Sequence, residues 1–253
     1  MRLTVIGCSG SYPGPESPAS SYLVEAEDGD RTWRVLLDLG SGALGRLHEY
    51  VDPLSIDAVL LSHLHPDHYF DMSGYYVLRK YHPAGAPPRI PVYGPHGTAD
   101  RLAKAYGLPA DPGMNEEFEF HEYADGSAVT VGPLTFEVVP VAHPVESYAI
   151  RVGHGGRSLV YSGDTGPCEA LVELAKGSDL LLAEAAFREG AKNPENLHMT
   201  GRDAAETALR AGVGRLVLTH IPPWYDRDIA LEEARPVFDG PTELAICGMT
   251  YDL

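Results

Sequence analysis

The stretch Ser62-His63-Leu64-His65-Pro66-Asp67-His68 constrains this chain more than any other part of it. Three imidazoles and a carboxylate fall within six residues, directly after the apolar run 58–61. Side chains alternate along an extended segment, so His63 and His65 face the same way. Pro66 then favours a turn that carries Asp67 and His68 back toward them. Nitrogen and oxygen donors crowded in this way are the mix that borderline and hard divalent cations accept. A fold that uses this segment must place it where a strand leaves a sheet, and must bring further donors to it.

Those donors recur at the ends of later strand-like runs. The run ending Val141-Ala142-His143 closes on a histidine, Tyr161-Ser162-Gly163-Asp164 on an aspartate, and Leu218-Thr219-His220 on another histidine. Strand ends along one rim are where layered α/β folds build ligand sites. The candidate metal set is therefore His63, His65, Asp67, His68, His143, Asp164 and His220. Two divalent ions roughly 3.5–4 Å apart can share one carboxylate and clamp both oxygens of an in-line phosphoryl displacement. His48, His82, His96, His121 and His154 read as ordinary histidines. Asp38, at the end of another apolar run, reads as a group that orients a ligand or loop.

Short runs rich in Val, Leu, Ile, Tyr and Phe, bounded by Gly, Pro or Asp, predict strands at 3–6, 21–24, 33–37, 58–61, 90–93, 118–123, 128–131, 134–141, 148–152, 158–161, 180–182, 216–218 and 244–246. Helices are expected at 42–50, 69–81, 98–106, 167–176, 201–211 and 229–238. Thr200 followed by Asp203 resembles a helix start, Gly212 a helix stop, and 25–31 a hairpin tip. No linker or low-complexity stretch divides the chain. The expectation is one domain over residues 1–253, a four-layer α/β/β/α sandwich of two face-to-face sheets.

Charge narrows the partners. Only 19 Lys and Arg stand against 36 Asp and Glu, a formal net charge of −17. A protein gripping a long nucleic acid neutralises many phosphates with basic side chains, so no stable nucleic-acid complex is expected. A small anion drawn into a locally positive metal pocket suits this balance better. No run approaches the ~20 apolar residues of a spanning helix, and residues 1–7 read as a first strand without an export-signal pattern. Three scattered cysteines, Cys8, Cys168 and Cys247, suit a reducing cytoplasm.

The segment His63-Leu64-His65-Pro66-Asp67-His68 resembles the H-x-H-x-D-H signature of the metallo-β-lactamase superfamily, and His143, Asp164 and His220 follow in that family's order. The resemblance implies two bound divalent ions, Zn2+ with Mn2+ or Fe2+ as alternatives. It places His63, His65 and His143 on one ion, Asp67, His68 and His220 on the other, and Asp164 between them. Asp164 stands where true β-lactamases often carry cysteine, which argues against antibiotic hydrolysis. Asn196-Leu197-His198-Met199-Thr200 and Glu184-Ala185-Ala186-Phe187 look like elements of ribonuclease Z-type phosphodiesterases. They mark His198 as a candidate general acid and Glu184 as its partner, so Asp67 and His198 are the candidate catalytic residues.

Only 21 positions separate His143 from Asp164, an interval in which tRNA-processing enzymes of that branch insert a basic arm. The segments 7–11, 18–22, 143–148 and 219–224 look most like actinobacterial cyclic-nucleotide phosphodiesterases. That likeness implies hydrolysis of 3′,5′-cyclic AMP to 5′-AMP, in a homodimer. Ser9, Ser11 and Ser20 are the candidate substrate-binding hydroxyls, with Gly7 and Gly10 allowing close backbone approach. Tyr75, Tyr76, Trp224 and Tyr225 are candidates to stack on the base. RNA cleavage, lactone or thioester hydrolysis, and a metal-stabilised scaffold without turnover are the competing readings.

Overall fold

The computed structural model describes residues 1–124 and 128–253. Fourteen strands and seven α-helices occur among them. In chain order these are β1 (Arg2–Gly7), β2 (Ser21–Asp28), β3 (Arg31–Leu37), α1 (Ala43–Leu47), β4 (Ala58–Leu60), α2 (Pro66–Tyr69), α3 (Met72–Lys80), β5 (Ile90–Gly94), α4 (Thr98–Tyr106), β6 (Phe118–Glu122), β7 (Ala128–Val131), β8 (Leu134–Pro140), β9 (Tyr148–His154), β10 (Arg157–Tyr161), α5 (Glu169–Ala175), β11 (Leu180–Glu184), α6 (Gly201–Ala211), β12 (Leu216–Thr219), α7 (Asp228–Ala234), β13 (Thr242–Leu244) and β14 (Thr250–Asp252). The first sheet runs β14-β1-β2-β3-β4-β5-β6 and the second β13-β12-β11-β10-β9-β8-β7.

The two sheets are built alike. From β14 to β3 the pairings are antiparallel, and from β3 to β6 they are parallel. From β7 to β10 the pairings are antiparallel, and from β10 to β13 they are parallel. The duplication that leaves no residue-level repeat in the sequence is thus plain in the topology.

Alternation along the strands creates three cores and four layers. Val35, Leu37, Ala58 and Leu60 point from the first sheet into the space between sheets, where they meet Leu159, Tyr161, Leu180 and Leu182 of the second. Their neighbours Leu36, Val59 and Leu61 turn the other way, under Leu47 of α1, Met72 of α3 and Leu102 of α4. Val160, Leu181, Ala183 and Leu218 likewise turn outward beneath α5, α6 and α7. Strands buried on both faces read as continuous apolar runs, as these do. The expected α/β/β/α sandwich is the observed fold.

Differences from the expected elements are local. The helix anticipated over 69–81 breaks at Phe70-Asp71, where the Asp71 carboxylate accepts a hydrogen bond from the Leu44 amide (2.8 Å) instead of lying on a helix surface. The run 244–246 forms a strand only up to Leu244. The edge strand β14 went unanticipated, because its three residues have no pattern until they meet β1. At α6, Thr200 and Asp203 form a reciprocal capping box and Gly212 closes the helix in the left-handed conformation.

Candidate metal centre

Every candidate ligand follows the C-terminal end of a strand. His63 and His65 come from the segment after β4, Asp67 and His68 from α2 that follows it at once, His143 follows β8, Asp164 follows β10 and His220 follows β12. Two sheets therefore contribute to one rim. The rim is stitched by backbone contacts: the Tyr148 amide donates to the Ser62 carbonyl (3.0 Å), and His63 pairs with Ser147 across the seam.

The donors gather into two overlapping groups. His63, His65, His143 and Asp164 form one; Asp67, His68, Asp164 and His220 form the other. In the first, Nδ1 of His65 lies 3.0 Å from Nε2 of His63 and 3.2 Å from Nε2 of His143. In the second, the Asp67 carboxylate approaches Nε2 of His68 (3.6 Å) and of His220 (3.7 Å). Asp164 belongs to both. One of its oxygens lies 3.2 Å from His68, and the other 3.6 Å from His63 and 3.2 Å from His220. All seven expected ligands are thus brought together, in the two sets expected and with the expected shared carboxylate.

Partners behind the rings fix which nitrogen faces inward. Nδ1–H of His143 donates to the Leu197 carbonyl (2.9 Å), and Nδ1–H of His68 to Asp38 (2.7 Å), leaving Nε2 of each toward the cluster. Asp38 is completely buried and also accepts from the Ser62 amide (2.6 Å), the Ser62 hydroxyl (2.7 Å) and the Tyr161 hydroxyl (2.8 Å). Its expected role as an orienting group holds; Ser62 and Tyr161 are members of the network that sequence reasoning missed. The only sequence signal for Ser62 was its place beside His63. Asp38 and His220 both sit at positive φ, 59° and 55°, a strained conformation for residues with a side chain.

Burial and neighbouring charge set the protonation of these groups. Burial, followed by the nearby imidazoles, holds His63 well below the usual histidine range. Burial also lowers His65 and His143, so these rings present lone pairs. Burial works to raise Asp164, yet His220, His68 and His63 together keep it well below the usual carboxylate range. Nε2 of His68 and the Asp164 oxygen 3.2 Å from it are buried, and neither makes a well-formed hydrogen bond. Orphaned buried polar atoms are costly, and a cation between them relieves both. The donor set fits two divalent ions.

At the edge of the cluster, Nδ1 of His198 is bonded to Glu184 (2.8 Å) and lies 4.0 Å from Asp164. Burial alone would lower this imidazole, but the charge and hydrogen bond of Glu184, with Asp164 behind, outweigh it and push His198 up to about 9. Glu184 is itself anchored by the amides of Thr165 (2.8 Å) and Ala186 (3.1 Å). The pair expected from the sequence is formed.

The expected substrate contacts fare differently. Ser20 is completely buried and its hydroxyl meets Nδ1 of His220 (2.8 Å), so it steadies a ligand and leaves nothing for a substrate. The Ser9 hydroxyl donates to the Ser17 carbonyl (3.1 Å) within the protein. Ser11 alone of the three is exposed. Gly7 and Gly10 do permit close approach, but of the chain to itself: a side chain on Gly10 would overlap the His220 carbonyl oxygen. Tyr75 and Tyr76 are corrected from stacking candidates to core residues, packed with Met72 and Phe118 under the first sheet. Tyr225 lies beneath the Arg188 guanidinium (3.9 Å from the ring), and Trp224 is exposed. His48, His82, His96, His121 and His154 stay outside both donor groups.

Comparison with known proteins agrees with this architecture. Residues 33–221 match the family model described as a Beta-lactamase superfamily domain. The chain is 45% identical over 257 residues to the uncharacterized protein Rv1339 of Mycobacterium tuberculosis, covering all of this chain and 92% of the relative. It is 30% identical over 258 residues to the probable metallo-hydrolase YhfI of Bacillus subtilis, covering both fully. It is 31% identical over 307 residues to a ribonuclease Z of Myxococcus xanthus, covering all of this chain and 98% of that one. The crystal structure of YhfI superposes with a TM-score of 0.87 at 28% identity, over 99% of this chain and 98% of that one. With its two donor groups in place, the chain belongs to the β-lactamase superfamily, as a metallo-hydrolase.

Proposed function

We propose that this protein is a dinuclear metal-dependent phosphodiesterase that hydrolyses a small cyclic nucleotide, 3′,5′-cyclic AMP to 5′-AMP. The observation that carries the reading is the His198–Glu184 pair standing beside the shared Asp164. Two divalent cations would supply an acidified water and neutralise charge on the phosphoryl oxygens. Zn2+ suits this imidazole-rich set, with Mn2+ or Fe2+ as alternatives. His63, His65 and His143 would hold one ion, Asp67, His68 and His220 the other, and Asp164 both.

The protein's own acid is His198. Glu184 engages Nδ1, so Nε2 is the nitrogen left to donate a proton to the departing 3′ oxygen. General acid catalysis of this kind contributes about 10²–10⁴-fold. Asp67 would help hold an ion, its carboxylate standing beside His68 and His220.

A small substrate is favoured over RNA by the form of the chain between His143 and Asp164. That interval folds into the short hairpin of β9 and β10, joined at Gly155-Gly156, with no extension to grip a polynucleotide. The net charge of −17 points the same way. Similarity to a ribonuclease Z keeps RNA cleavage as the second reading. A hydrolysis panel with added Zn2+, Mn2+ or Fe2+ separates them, using cyclic AMP, cyclic GMP, cyclic dinucleotides, bis-p-nitrophenyl phosphate and precursor tRNA. Turnover of cyclic AMP well above the other substrates supports the proposal. Cleavage of precursor tRNA alone, with steep salt dependence, replaces it.

A further inference from the structure

Two large aromatic side chains stand open to solvent close in the chain to residues that form or touch the metal centre: Trp224 follows the ligand His220 by four residues, and Tyr12 follows Gly10, which packs on His220, by two. Tyr12 is 42% exposed and Trp224 is 56% exposed. Their ring centroids are 5.3 Å apart and their planes meet at 35°. Tyr and Trp are enriched at contact sites because one end of the side chain is apolar and the other polar.

The pair is tied to the site through a short run of backbone. Gly10 lies directly against the metal ligand His220: a Cβ on Gly10 would sit 3.0 Å from the imidazole Cδ2, and the Gly10 amide donates to the Ile221 carbonyl (3.2 Å). Two residues on, Ser11 adopts φ 65° and the Tyr12 amide folds back onto the Gly10 carbonyl (2.8 Å). Strain in a residue with a side chain is retained where the surroundings impose it, and here it turns Tyr12 outward. On the other side, Trp224 follows His220 by four residues, in the turn closed by the Tyr225 amide on the Pro222 carbonyl (3.0 Å). Backbone bond lengths place the Tyr12 Cα no more than about 12 Å from the His220 ring.

We infer that Tyr12 and Trp224 form a stacking platform for the heterocyclic base of a nucleotide whose phosphate occupies the metal centre. This rests on the phosphodiesterase reading and deepens it by naming the side chains that would hold the base. A stacking face is sequence-tolerant because every base has a π surface, so the platform selects for a base without choosing among bases. It also assigns Tyr12, a residue without a role in the ligand network, as a specificity determinant.

The experiment compares cyclic AMP with abasic ribose 3′,5′-cyclic phosphate in the metal-loaded enzyme. Trp224→Ala and Tyr12→Ala should each raise KM for cyclic AMP about tenfold, the scale of one base–aromatic stack, with kcat little changed and the abasic substrate unaffected. Trp224→Phe should recover most of the loss. Binding is read independently from tryptophan fluorescence during titration with 5′-AMP. Quenching should occur in the parent protein and vanish in Trp224→Phe, because the other tryptophan, Trp33, lies covered by the Arg31 guanidinium 3.6 Å from its ring. Equal KM changes for both substrates, or none, would overturn the platform while leaving phosphodiester hydrolysis intact. Absence of any turnover would overturn the phosphodiesterase reading, and the titration would then decide the platform alone: no quenching refutes it.

Discussion

Replacing Glu184 by Gln keeps the shape of a buried side chain and removes its charge, which isolates what Glu184 does for His198. The two groups are 2.8 Å apart, and His198 is pushed up to about 9. A hydrogen bond to a charged partner contributes about 1.5–3 kcal/mol. At 1.36 kcal/mol per pKa unit, losing that charge should lower the imidazole by about 1–2 units. The sign follows from the role of the acid. A raised pKa keeps the imidazolium available below it and loses it as pH rises through it. In Glu184→Gln the loss begins at lower pH, so the alkaline limb of the kcat–pH profile moves down by about 1–2 units. Bound cations shift both enzymes in the same direction and leave the difference readable. The assay is cyclic AMP hydrolysis from pH 6 to about pH 10 with metal content measured in parallel. An alkaline limb that stays in place, with both ions retained, would falsify the assignment of His198 as the proton donor.

Other expectations follow from the same geometry. His198→Ala should lower kcat by about 10²–10⁴-fold while elemental analysis still finds two ions per chain. His65→Ala should abolish turnover and release one ion, whereas Asp164→Ala should abolish turnover and weaken both, because Asp164 lies in both donor groups. Chelation should lower the thermal midpoint; restoring free metal to a hundred times its Kd should return about 2.7 kcal/mol of stability, measured by calorimetry. Gly10→Ala should cost about 1–3 kcal/mol in a denaturant titration and loosen the ion held by His220, since the new methyl overlaps the His220 carbonyl.

Much of the site was legible because ligand chemistry is local. The seven donors follow just four strand-like runs, and strand ends are visible as apolar runs broken by Gly or Pro. The capping of α6 by Thr200 and Asp203 was legible for the same reason. What the sequence hid is everything that depends on chain segments meeting. Ser20 and His220 are 200 positions apart, and nothing near either announces their hydrogen bond. Tyr161 supports Asp38 from the opposite sheet. Tyr75 and Tyr76 looked available for stacking because aromatic residues on a short amphipathic helix carry no mark of which face is buried. Tyr12 drew no attention since its exposure arises from a strained turn at Ser11 rather than from composition.

The seven donors are divided between the two leaves of the sandwich, four after β4 and three after β8, β10 and β12. Bound cations would therefore act as rivets through the seam, and the site exists only while the leaves keep their register. A sliding or hinging motion between the leaves would pull the donors apart before it admitted a substrate. Access is then expected through small loops above the rim, with the two leaves of the sandwich moving as one body.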